Sequence, residues 1–322
     1  MNYLKRRFLT YVGVFFVVLN LDFILPRLAP GNAARILAAG SKFTPQASAL
    51  LIARFGLDKP ILTQYYLYLK GIFLTWPPYF GTSFQFYPEP VTDIFVSRIG
   101  WTLLLILSAF VLATILAYVA GGFSSMRRGG IFERGSLYTA VSLHAIPAYW
   151  IAMVILWIFA VRLNWFPTFG NVNLASGSTG AYVISVIEHA VLPVVTLAVA
   201  IWGSFFMLLR GSIQQVLKSD FVSSAKTRGL PDRIVATKYI LRNSLLPFVA
   251  ILSFSLASLM SDVILVEAVF GYPGIGDLLV DAISSRDYPV LQGALFFIVV
   301  MVIVGGFIGD YFLVRLDPQL RR

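Results

Sequence analysis

The residues of this 322-residue chain that could do chemistry gather in two places. The first lies between apolar runs and reads Asp220-Phe221-Val222-Ser223-Ser224-Ala225-Lys226-Thr227-Arg228-Gly229-Leu230-Pro231, followed later by Asn243-Ser244-Leu245-Leu246-Pro247. Its spacing predicts a short helix starting near Ser219 or Asp220, stopped by Gly229 as the residue after the C-cap, with Pro231 opening a second helix. Two short helices joined by a tight turn make a rigid basic knob. Basic helices beside a membrane also lie flat on anionic lipid, and composition alone leaves both readings open. The second place is inside an apolar run. Ser255, Ser258 and Asp262 fall at i, i+3 and i+7, one helical face, with Ser261 beside them. A carboxylate within a membrane span faces a cavity or a partner group, which makes this face a candidate polar route. The alternative is that the serines pack helices and Asp262 bonds to a neighbouring helix. Asp22 and Asp310 are weaker candidates of the same kind.

Several chemistries are poor readings. The chain has no cysteine, so disulfides, thiolate metal sites and cysteine nucleophiles are excluded. His144 and His189 lack the His-Glu-x-x-His spacing of a metalloprotease. A polar contact at a kink made by Pro147 accounts for His144, and His189 follows Glu188 near the end of an apolar run. No Gly-x-x-x-x-Gly-Lys-Ser/Thr stretch occurs, so the chain offers no phosphate cradle and is expected to hold no cofactor of its own.

The elements that must position these residues follow from composition. Hydrophobic residues make up 58% and charged residues 12%, far too few charges to cover a soluble surface of this size. The expected fold is an all-α polytopic membrane protein. Six apolar stretches are long enough to cross the bilayer: Phe8–Leu28, Trp101–Phe123, Leu137–Val161, Tyr182–Leu209, Leu246–Ala268 and Val290–Val314. The +10 net charge is then a matter of sidedness rather than a nucleic-acid footprint. With the N-terminus inside, sixteen of the 25 Lys and Arg fall on the inner side, seven of them between Arg210 and Arg242. Of the remaining nine, seven sit in one long loop, where they weigh less in setting orientation. Both termini are therefore expected in the cytoplasm of a multi-pass cell-membrane protein. Lys5-Arg6-Arg7 and the run after it read as a first span rather than a cleaved leader, because the run is too long and Ala38-Ala39-Gly40 lies too far beyond it.

The expected organisation is a tail and first span over 1–28, an extracytoplasmic region over 29–99 with short helices lying on the outer face, and a transmembrane core over 100–322 carrying the cytoplasmic loop 210–245. In the extracytoplasmic region, Thr44-Pro45 suits a helix start, and apolar spacing continues to Gly71. Trp76-Pro77-Pro78 and Pro88-Glu89-Pro90 interrupt regular structure.

The loop 210–245 resembles the cytoplasmic coupling loop, the "EAA" loop, of binding-protein-dependent ABC importer permeases. Ser223, Ser224 and Ala225 stand at the Glu-Ala-Ala positions, Gly229 at the glycine, and Leu246-Pro247 at the closing aliphatic-Pro pair. Ala225, Gly229 and Leu-Pro match outright, while Ser223 replaces the acidic residue. The long gap from Gly229 to Pro247 is similar to that of the oligopeptide/dipeptide branch. The stretch from Val266 to Gly276 with Phe270-Gly271-Tyr272-Pro273-Gly274-Ile275-Gly276, and Arg286-Asp287-Tyr288-Pro289-Val290-Leu291-Gln292-Gly293 after it, resembles the hallmark of that branch. So do Phe55-Gly56-Leu57-Asp58-Lys59-Pro60, Gly81-Thr82-Ser83 and Leu316-Asp317-Pro318.

This resemblance implies a type I importer transmembrane architecture and a non-enzymatic transport subunit forming half of a channel. It implies as partners a homologous second permease, two cytoplasmic ATPase subunits that bind the ATP and Mg, and an extracytoplasmic binding protein. Asp220, Ser223, Ser224, Ala225, Arg228, Gly229 and Pro231 become the candidate coupling residues. The substrate implied is oligopeptide, though similar permeases are associated with oligosaccharides and nickel. An ion-coupled secondary transporter would call for an internal repeat and an intramembrane enzyme for a paired nucleophile and base; neither is evident.

Overall fold

Apolar runs of this length have one way to satisfy their backbone in lipid, which is to hydrogen-bond within themselves as helices. The computed structural model describes residues 3–28, scattered positions between 44 and 56, and residues 58–126, 130–172 and 178–316; for 3, 26, 125–126, 246–247, 249–258 and 316 it describes the backbone alone. Along the chain run α1 (Tyr3–Leu28), α2 (Ile61–Phe73), α3 (Val91–Met126), α4 (Ile131–Ala145), α5 (Ala148–Ile155), α6 (Thr179–Val216), α7 (Asp220–Thr227), α8 (Arg242–Phe270), α9 (Ile275–Ser285) and α10 (Tyr288–Leu316). Wide π-type turns prolong α5 over Leu156–Arg162 and lead into α8 over Val235–Leu241. Among the described residues there is no sheet, only an isolated antiparallel bridge between Thr82 and Pro90.

α1, α3, α6 and α10 are each long and apolar enough to cross a membrane, and counting the bent pairs α4–α5 and α8–α9 as one crossing each gives six. The chain is a multi-pass, all-α membrane protein. One expected span is not straight: Leu137–Val161 is broken at Ile146-Pro147, where α4 and α5 meet at 101°. Pro147 cannot donate to the preceding turn and holds the residue before it extended, with Ile146 at ψ 126°. The helical spacing read from Thr44 to Gly71 is likewise interrupted, because Gly56 is left-handed at φ +64° and Pro60 precedes α2. Pro45 and the Ala38-Ala39-Gly40 stretch lie outside the described residues.

The chain divides into two units. One comprises Met1–Leu9, Leu103–Tyr272 and Val302–Arg322. Its helices meet through small residues. Ala109, Ala113 and Ala117, all fully buried, and Gly121 recur every four positions along α3. A Cβ on Gly121 would come within 2.5 Å of Leu209 on α6. On the other side of α6, a Cβ on Gly203 would fall 2.3 Å from the carbonyl oxygen of Ala140 on α4. Phe205 fills the space between, edge-on to Phe110 and Phe248. Two ion pairs tie helix ends: Arg210 to Glu133 at 3.1 Å, and Arg7 to Asp310 at 3.5 Å, where the carboxylate is fully buried.

The other unit comprises Thr10–Thr102 and Pro273–Met301. Its organising group is Asp287, 1% exposed. One carboxylate oxygen accepts from the Ser83 hydroxyl and from the Phe84 and Gln85 amides at 2.9 and 3.0 Å. The other accepts from the Val290 amide and so caps α10. Arg286 adopts φ +55° to end α9, and this turn aims Asp287 back at the loop 82–90. Thr102 accepts from the first amide of α9, Ile275, at 2.8 Å, and Arg98 pairs with Asp277 at 3.4 Å.

Gly203→Ala should force α4 and α6 apart and cost about 1–3 kcal/mol, the usual range for overpacking. Thermal unfolding in detergent reads this, with Gly13→Ala, where a Cβ meets nothing within 4 Å, as the control. Asp287→Ala strands several buried donors at about 1–3 kcal/mol each. Hydrogen exchange of the Phe84 and Gln85 amides should then accelerate about a hundredfold or more.

Candidate functional site

The knob expected between Arg210 and Asn243 is built by α7. Ser219 sits at its N-cap with extended backbone, and its hydroxyl donates back to the Val216 carbonyl rather than into the helix. At the far end Gly229 takes φ +73°. Its amide bonds to the Lys226 carbonyl at 2.9 Å, and the Leu230 amide reaches the Ala225 carbonyl at 3.4 Å, the paired bonds of a Schellman turn. Pro231 follows with extended backbone, and its carbonyl accepts from Ile234 and Val235 to start the next turn.

What α7 buries and what it shows are cleanly separated. Val222 and Ala225, three residues apart, face inward and are 2% and 3% exposed. They pack toward the 235–241 turns, where Val235, Ala236, Ile240 and Leu241 are also buried. Asp220, Phe221, Ser223, Ser224, Lys226, Thr227 and Arg228 are exposed. Of the candidate coupling residues, Ala225 is therefore a packing residue, Gly229 and Pro231 shape the turns, and Asp220, Ser223, Ser224 and Arg228 form the outward face. Phe221, 45% exposed, joins that face and was not singled out from the sequence. An exposed Phe on a helix whose apolar stripe is already supplied by Val222 and Ala225 is the signal that marks it.

The polar face of α8 is described in part. The side chains of Ser255, Ser258, Leu246 and Pro247 lie outside the described residues. Ser261 is exposed and Asp262 half-buried. His144, at the end of α4 beside the Pro147 break, is an electrostatic neighbour of Asp262 and shares a 2.8 Å hydrogen bond through Nδ1 with the Ser204 hydroxyl of α6. Three helices thus bring a carboxylate, an imidazole and a hydroxyl into one neighbourhood. Spacing could not show this, since the partners are 60 positions apart for Ser204 and His144. Asp22 and Asp310 have partners of their own. Tyr68 donates to Asp22 at 2.7 Å, and Asp310 pairs with Arg7. His189 donates from Nδ1 to the carbonyl of Ser185, one turn back, at 2.7 Å. Among the described residues no cluster of three or more His, Asp or Glu could hold a metal.

Comparison with known proteins gives the family. The family described as binding-protein-dependent transport system inner membrane component matches residues 109–322, and the N-terminal component of the same systems matches residues 1–106. The chain is 28% identical to the di/tripeptide transport system permease protein of Pseudomonas aeruginosa, covering all of this chain and 99% of that one. It is 30% identical to the oligopeptide transport system permease protein of Bacillus subtilis, over 99% and 98% of the two chains. It is also 30% identical to the glutathione transport system permease protein of Escherichia coli, over 100% and 99%. A crystal structure of an amino acid ABC transporter with histidines shares the fold at TM-score 0.51 and 15% identity, covering 70% of this chain and 94% of that one.

A Cβ at Gly229 meets nothing within 4 Å, so its replacement is penalised only by the left-handed backbone. Gly229→Ala should cost about 1 kcal/mol there, and Gly229→Asn less. Tryptic cleavage at Lys226 should accelerate about fivefold in the Ala variant and by a smaller factor in the Asn variant.

Proposed function

We propose that this chain, which belongs to the family of binding-protein-dependent transport system inner membrane components, forms half of the translocation channel of an importer for peptides or similar small solutes. It is a permease subunit of an ABC importer, a transport component rather than an enzyme. In this reading it sits in the cell membrane beside a homologous second permease. Two cytoplasmic ATPases bind the nucleotide and Mg, and an extracytoplasmic protein delivers the solute.

The observation that carries the coupling role is the two-sided build of α7. Its inner face is bolted to the chain by Val222 and Ala225, and its outer face presents Phe221 with Asp220, Ser223, Ser224 and Arg228. An apolar anchor ringed by short polar side chains suits a groove on another protein. Because both ends of α7 are fixed by tight turns, a push on the outer face moves the helix as a body. α6 and α8, to which those turns connect, then move with it. Such a displacement changes access to a cavity between spans, as rocking of packed helices does in other transporters.

The Asp262 neighbourhood supplies the route. Ser261, Ser204 and His144 give it hydroxyl and imidazole groups that exchange hydrogen bonds with a passing backbone amide, and Asp262 attracts a terminal ammonium. Ser255 and Ser258 continue the same face by spacing. Names of the relatives favour peptides, since those proteins are di/tripeptide, oligopeptide and glutathione permeases.

The test separates the two roles. Phe221→Asp should lower ATP-driven peptide uptake in vesicles by about tenfold or more, equivalent to about 1.4 kcal/mol, and loosen co-purification of the ATPases. Asp262→Ala should lower uptake by a similar factor while the ATPases stay bound. Full uptake in both variants overturns the assignment.

A further inference from the structure

The segment after Pro60 was expected on the outer face of the membrane, yet its contacts run down the side of a membrane span. α2 is antiparallel to α1 and descends beside it in register. Gln64 meets Arg27 at 3.2 Å. Tyr65 bonds to Asn20 at 2.8 Å and packs edge-on to Phe23. Tyr68 bonds to Asp22, and Phe73 stacks on Phe16 and meets Phe15 edge-on. From Arg27 to Phe15 the contacts span about 18 Å of α1, at 1.5 Å per residue. The apolar span of α1 is Leu4–Leu25, so Phe15 and Phe16 stand near its middle.

At that depth the chain turns. Leu74, Trp76, Pro77 and Pro78 form the bottom of a hairpin, and Phe80 on the way back meets Phe296 of α10 at 5.1 Å. The turn is unusually well provided for lipid. Pro77 and Pro78 have no amide to satisfy. The Tyr79 amide bonds to the Gly71 carbonyl at 2.9 Å, and Thr92 donates to the Pro78 carbonyl at 2.6 Å. Gly71 is required for this closure, because a Cβ there would lie 2.4 Å from the Tyr79 oxygen.

We propose that α2 and the turn 74–79 are a re-entrant hairpin seated in the half of the bilayer remote from Lys5-Arg6-Arg7, with lipid covering its outward face. That face is Leu62, Tyr66, Phe73, Leu74 and Trp76, all exposed, with Leu74 at 73% and Trp76 at 93%. It continues the exposed apolar surface of α1, since the Phe16 and Phe73 rings that stack are each about half exposed. Water-facing loops do not present five such side chains in one strip. Arg27 and Lys59 at the open end supply charge at headgroup level, and the long stem of Lys70 lets its ammonium extend toward that level. The hairpin widens the lipid-facing wall beside α1 without adding a crossing.

The absence of cysteine makes the test direct. Single replacements Leu62→Cys, Leu74→Cys, Val17→Cys and Glu89→Cys, all at exposed side chains, carry a nitroxide label in protein reconstituted with the subunits that co-purify with it. Collisions are read with oxygen, which concentrates in acyl chains, and with a water-soluble nickel chelate. The oxygen-to-nickel ratio at Leu74 should match that at Val17 and exceed that at Glu89 by about tenfold, with Leu62 between them. A Leu74 label as open to nickel as the Glu89 label overturns the proposal by placing the hairpin in water. Protection from both quenchers overturns it by placing a protein partner there.

Discussion

In a bilayer no water presses apolar helices together, so their association depends on how closely the backbones approach and on which polar groups find partners. This constraint explains why the most consequential residues of this chain are small. The Ala109-Ala113-Ala117-Gly121 ridge gives α3 a flat side, and Gly203 lets α6 rest against the Ala140 carbonyl of α4. Gly293 does the same for α10, where a Cβ would sit 2.6 Å from the Phe95 ring. Large side chains such as Phe205 then fill the space that these contacts define. The knob formed by α7 and the polar neighbourhood of Asp262 inherit their placement from this packing.

The same constraint governs the helix ends. Three turns close with the same pair of backbone bonds, at Gly229, Gly271 and Arg286. Each caps the last carbonyls of its helix and changes the chain direction within two residues. Arg286 bears a side chain in a left-handed position, where Gly is favoured. The structure offers the compensation: the turn delivers Asp287 to four donors on two segments.

Sequence reading reached the architecture because composition and span length are local properties. It reached the α7 turn because Gly229 and Pro231 constrain their own backbone. It placed Pro147 correctly as a perturbation but read a continuous span across it, since a proline's effect on helix direction depends on what packs around the freed carbonyls. The convergence of His144, Ser204 and Asp262 was not legible, because three separate helices supply it. The depth proposed for α2 was not legible for a related reason. Its apolar strip is short, and the contacts with Asn20, Asp22 and Phe16 that support that depth join residues more than 40 positions apart.

The Asp287 carboxylate also sets an order of events during synthesis. Ser83 leaves the ribosome 204 residues before its partner does. At about 5–20 residues per second, that is a wait of about 10–40 s. Throughout that interval the loop 82–90 lacks the acceptor for its three donors while α3 through α9 are being made. The second unit is therefore closed only after the start of α10 has been made.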